Sequence, residues 1–86
     1  MEHRIDCSQI TSREEFHRTL AAALSFPEWY GHNLDALYDC LTDIGEPTHL
    51  ILENWDSLSP ALRGFRAVLD EAEEETPALI VTYLPR

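Results

Sequence analysis

The sequence predicts a small α/β domain, with a three-stranded parallel sheet and three to four packed helices. Three observations carry that prediction. Residues 48–52 (THLIL) and 78–84 (ALIVTYL) are short apolar runs bounded by turn residues, and they read as buried strands. The segment between them has helical periodicity, and a strand–helix–strand crossover favours parallel pairing. The chain has 86 residues and is 44% apolar, which suffices for one core, so residues 1–86 are read as one domain.

The remaining elements follow in chain order. Residues 3–7 (HRIDC) alternate and form a first strand. Ser12 and Glu15 make a capping box, after which Phe16, Leu20, Ala23 and Leu24 keep helical spacing from Arg13 until just before Pro27. Residues 25–32 form a loop punctuated by Pro27 and Gly31. Asn33 caps a second helix, whose apolar stripe of Leu34, Leu37, Leu41 and Ile44 stops at Gly45 and Pro47. After the strand at 48–52 and a turn over 54–59, Pro60 opens a third helix behind a Ser59 cap. That helix carries Leu62, Phe65, Leu69 and Ala72 at helical spacing. Its end, Glu73 to Glu75, opposes the helix dipole.

Net charge is −10, from sixteen acids against six arginines and no lysine. Such a chain is repelled by nucleic acid and by anionic membranes, so its natural partners are cationic. There are two cysteines, Cys7 in the first strand and Cys40 on a helix face, both read as buried structural thiols. No apolar segment reads as a secretory signal or a membrane span, so the expected location is the cytoplasm.

The informative segment is 27–42, PEWYGHNLDALYDCLT. At 100° per residue Asp35, Asp39 and Asp43 fall within an arc of about 80°, opposite the leucine stripe and flanked by Tyr38 and Thr42. Like charges four residues apart disfavour a helix by a few tenths of a kcal/mol. No arginine lies between Arg18 and Arg63 to neutralise them. A merely solvated face mixes both signs, so a single-sign stripe points to a partner. Trp29 and Tyr30 precede it in the loop, and aromatic rings beside a charged patch are the composition of an interface hot spot. One of these adjacent rings is expected to be buried and the other exposed.

These residues resemble the signature of the barstar family, intracellular inhibitors of the secreted ribonuclease barnase. The shared pattern is Pro27-Glu28, the aromatic pair, Gly31, Asn33-Leu34-Asp35-Ala36-Leu37, an aromatic at 38, Asp39 and Cys40-Leu41. It extends upstream to His17-Arg18-Thr19-Leu20 and downstream to Glu71-Ala72. The resemblance implies a parallel sheet with packed helices, and a second helix and loop that enter the active site of the ribonuclease. It implies that Asp39 takes the place of substrate phosphate and that Asp35 supplies a second anionic contact. It further implies that Trp29 stacks on a catalytic histidine and that Gly31, Asn33, Tyr38 and Thr42 make further contacts, with Glu71 at the periphery. The partner implied is a basic extracellular ribonuclease, bound 1:1 by a chain that is a monomer when free.

The chain departs from the family pattern at several positions. Trp29 replaces a tyrosine, Tyr38 a tryptophan, His32 an acid, and Asp43-Ile44 a Gly-Trp pair. Thr76-Pro77 stands where the family has a second cysteine. The stretch from 54 to 60 is short, which predicts loss of the small helix the family carries there. These departures put the identity of the target in question. The alternative is an immunity protein against another nuclease toxin, or a binder of a non-nuclease partner. An enzyme or metal site built from His32, Asp35 and Asp39 is disfavoured, because no second histidine lies nearby in sequence and the chain can hardly enclose a cleft. No cofactor, metal or catalytic activity is expected.

Overall fold

The computed structural model describes residues 1–86. Three strands, β1 (Glu2–Asp6), β2 (Thr48–Glu53) and β3 (Leu79–Tyr83), form one parallel sheet in the order β1-β2-β3. Helices α1 (Arg13–Leu24) and α2 (Leu34–Thr42) connect β1 to β2, and α3 (Phe65–Glu75) connects β2 to β3. The predicted α/β class and parallel sheet are observed, with three α-helices; the stretch from 54 to 60, where the small helix was expected to be lost, keeps a short 3₁₀ turn, Trp55–Ser57.

Pairing register sorts the strand residues onto two faces. Ile5, Leu50, Leu52, Leu79 and Val81 turn inward and join Phe16, Leu20, Leu37, Leu41, Phe65 and Leu69 in one core. Phe16 stacks on Phe65 with ring centroids 4.4 Å apart and lies tilted against Trp55 at 6.5 Å, so aromatic contacts join α1, α3 and the chain after β2. The outer face carries Glu2, Arg4, Asp6, His49, Glu53, Ile80 and Thr82. Ile51 is buried on that face, outside the core cluster, between its register partners Arg4 and Thr82.

Most boundaries fall within a residue or two of expectation, and the differences have local causes. Cys7 is not in β1: Asp6 accepts from the Ser8 amide and starts a 3₁₀ turn, Cys7–Gln9, that leaves the thiol fully buried. Ser12 caps α1 as expected, accepting from the Glu15 amide at 3.1 Å, but the Glu15 carboxylate returns to Thr11 N–H and not to Ser12. Helix α2 ends at Thr42, two residues early. The third helix does not start at Pro60. Pro60–Leu62 is a separate 3₁₀ turn, Ser59 makes no side-chain cap, and α3 begins only at Phe65. Gly64 in the middle of this segment disfavours a continuous α-helix. Leu62 and Phe65, three residues apart, are both buried through bonds of 3₁₀ type instead.

No helix is long and apolar enough to cross a membrane. Neither cysteine is in a disulfide, and Cys40, expected to be buried, is only half-buried at the surface whereas Cys7 is fully buried. Burial pushes the Cys7 thiol up to about 11, which keeps it protonated and unreactive.

Candidate functional site

The site is assembled by a helix cap. Asn33 accepts from the Ala36 amide at 2.8 Å through Oδ1 and donates to the Gly31 carbonyl at 3.1 Å through Nδ2. One side chain thereby starts α2 and fixes the end of the loop in front of it. A Cβ at Gly31 would lie 3.1 Å from that Asn33 nitrogen, so a side chain there would press on the amide that holds the loop. The left-handed residue is its neighbour His32, at φ 46°.

Of the adjacent rings, Tyr30 is buried and Trp29 is 80% exposed. Tyr30 packs against Phe26, centroids 5.0 Å apart, and its hydroxyl lies 2.5 Å from Nδ1 of buried His17. The packing of one ring therefore holds the other out in solvent at the head of α2.

Along α2 the leucine face enters the core, while Asp35, Asp39 and Asp43 are all exposed. The side-chain hydrogen bonds on this helix belong to Asn33 and Thr42, and none reaches an aspartate. Asp39 is shared by two surface concavities. One, of about 420 Å³, is walled by Trp29, Phe26, Cys40, Asp43 and Ile44. The other, of about 310 Å³, lies between α2 and α3 and is lined by Leu34, Asp35, Tyr38, Val68 and Glu71. Burial, and then the carboxylates of Glu75, Glu71 and Asp39, hold the Tyr38 phenol above its ordinary range, so it stays a hydrogen-bond donor. Burial and Asp39 and Asp43 do the same to the Cys40 thiol.

The structure thus gathers Trp29, Asp35, Tyr38, Asp39 and Glu71 around one ridge, with Gly31 and Asn33 shaping its approach. Thr42 is less available. Its hydroxyl donates within the helix to the Tyr38 and Asp39 carbonyls, leaving only lone pairs to offer. Asp43 was not among the expected contacts, yet it shares a cavity with Asp39 and Trp29. Its spacing, one helical turn from Asp39, was the available signal. No three histidine, cysteine or acidic side chains are grouped to hold a metal ion.

A family model described as barstar, barnase inhibitor, matches residues 1–82. The chain belongs to the barstar family. One relative is YrdF of Bacillus subtilis (strain 168), whose name describes it as a candidate ribonuclease inhibitor. It is 38% identical over 76 residues, covering 83% of this chain and 84% of that one. A match to the cytochrome P450 monooxygenase pynD of Aspergillus niger is 41% identical over 51 residues. It covers 55% of this barstar-family chain but 11% of the P450, too little to bring that protein's activity here.

Proposed function

We propose that this chain is a ribonuclease inhibitor and not an enzyme, and that its target is a basic, secreted ribonuclease of the barnase type. The observation that carries the proposal is the position of Asp39. It is exposed, no side-chain hydrogen bond or ion pair within the protein reaches its carboxylate, and it lines both concavities, one of them together with Trp29. A site that cleaves RNA is lined with cationic groups that bind phosphate. A carboxylate held on a helix offers such groups the charge of the phosphodiester and nothing to cleave.

In this mechanism Asp39 occupies the phosphate position and Asp35 meets a second cation. Trp29 stacks on the rim of the active site, while Gly31, Asn33, Tyr38 and Thr42 complete the contact and Glu71 lies at its edge. The net charge of −10 speeds encounter with a cationic enzyme. Residues 1–86 act as one unit, monomeric when free and 1:1 when bound. The producing cell uses it in the cytoplasm, before the ribonuclease is exported.

Asp43 and His32 favour a target other than barnase itself, because the first adds a carboxylate to the Trp29 cavity and the second removes one from the loop. The test is an inhibition assay against barnase and against the ribonucleases secreted by the producing organism. Stoichiometric loss of RNA cleavage is the expected result with at least one of them. Folded protein that inhibits none and captures none would remove the proposal.

A further inference from the structure

His32 closes a contact that joins the loop to α1. Its Nδ1 lies 2.5 Å from Glu14 Oε1, across 18 residues of sequence. The flat of its ring stacks on His17, with centroids 5.9 Å apart and planes 9° apart. His17 in turn holds the Tyr30 hydroxyl. Glu14 and His17, three residues apart, share one face of α1. That face grips the loop on both sides of Gly31, directly behind Trp29. An acid at position 32, common in the family, would face Glu14 with like charge.

The charges in this cluster favour one protonation pattern. Burial, then positive charge on His32 and on Arg13, hold His17 below the ordinary histidine range. Burial, and then Cys40 from α2, hold the Tyr30 phenol far above its own. Tyr30 therefore donates to a neutral His17, a tautomer assigned from the hydrogen-bond geometry. That leaves His17 Nε2 buried without a partner. The stacked His32 turns its Nδ1 to the Glu14 carboxylate. Arg18 stands 4.0 Å from that carboxylate on the same helix. From α3 the neighbour is the uncharged Phe65 ring, 4.9 Å from His17, with the Arg13 guanidinium above it.

We propose that Glu14 and His32 form a clasp that positions the Trp29 loop for its partner. What the loop binds rests on the function proposed above, whereas how the loop is held does not. The contact spans 18 residues, so breaking it frees the loop from α1 while the Asn33 cap stays in place.

The test uses the free chain, by amide hydrogen exchange at residues 30–34 and relaxation of the Trp29 indole. Protection, corrected for intrinsic exchange, falls about three- to tenfold from the wild type to Glu14→Gln and to His32→Asn. Asparagine tolerates the left-handed backbone but cannot reach α1. His32→Arg keeps a cation able to stack and to pair, so its loop stays protected. Amides of α3 report that all three variants are folded. With the secreted ribonuclease that the wild type inhibits as the probe, Glu14→Gln and His32→Asn weaken binding about three- to tenfold by reducing the competent fraction. The clasp is refuted if Glu14→Gln keeps the wild-type protection, or if His32→Arg behaves like His32→Asn. Failure of the wild type to bind barnase or any other ribonuclease would count against the function alone, since exchange is read without a partner.

Discussion

The outer face of the sheet and the outer face of α2 are both exposed and rich in charge, yet they handle it differently. On the sheet, Arg4 lies 3.1 Å from both Glu2 and Glu53, and His49 pairs with Thr82. Hydrogen bonds from Ser8 and Asn54 hold the Asp6 carboxyl below its usual range. On α2 the three aspartates repeat at one-turn spacing with no cation beside them. Where both signs interleave, the molecule neutralises itself. Where one sign repeats, the fold keeps a small unfavourable energy that only an external cation can offset.

The largest expected effect tests that contrast directly. Asp39→Ala should weaken binding to the cognate ribonuclease by at least about 2 kcal/mol, the ordinary threshold of a hot spot. The barnase–barstar complex is itself a standard example of that behaviour, so the magnitude is a general one. Asp35→Ala and Asp43→Ala should cost less, because each lies in only one of the two concavities that Asp39 joins. Arg4→Ala, on the self-neutralised face, should leave affinity unchanged. Equilibrium competition binding measures all four. Equal, small losses along α2 would mean that net charge and not the position of Asp39 drives association.

The same contrast explains how much was legible in the sequence. The faces of α2 follow from a period of 3.6 residues, so the leucine and aspartate stripes could be drawn without coordinates. The strands were legible from their apolar runs, and the Asn33 cap from its place before the leucines. The start of α3 was not, because Ser59-Pro60 imitates a helix start while Gly64 and the burial of Phe65 decide the outcome. The left-handed residues Ser25, His32 and Asn54 carry no glycine to announce them. The Glu14–His32 pair spans 18 residues and depends on how the loop packs, which no local pattern encodes.

A smaller effect separates reach from contact. Glu71 is exposed on α3, across the second concavity from Asp35. Glu71→Ala should lower the association rate about two- to threefold at low salt and leave dissociation almost unchanged, as for charges at an interface rim. The difference should shrink as ionic strength approaches 1 M, where the Debye length is about 3 Å. Stopped-flow measurements over a salt series decide it. An effect confined to dissociation would move Glu71 from the edge of the interface into its centre.

The smallest effect concerns stability, and its sign is the useful part. Removing a charge from α2 should stabilise the free chain, whereas Arg4→Ala should destabilise it only slightly, as for an exposed ion pair. The gains on α2 should also be unequal. Asp43, at the C-terminal cap, opposes both the helix dipole and Asp39, so Asp43→Asn should gain about 0.3–1 kcal/mol. Asp39→Asn should gain a few tenths from relief of repulsion. Asp35, in the first turn, is favoured by the dipole and should gain almost nothing. Urea denaturation at neutral pH resolves the order, and added salt should compress it. A destabilising Asp39→Asn would reveal an intramolecular partner for that carboxylate and weaken its claim to be held in reserve for another protein.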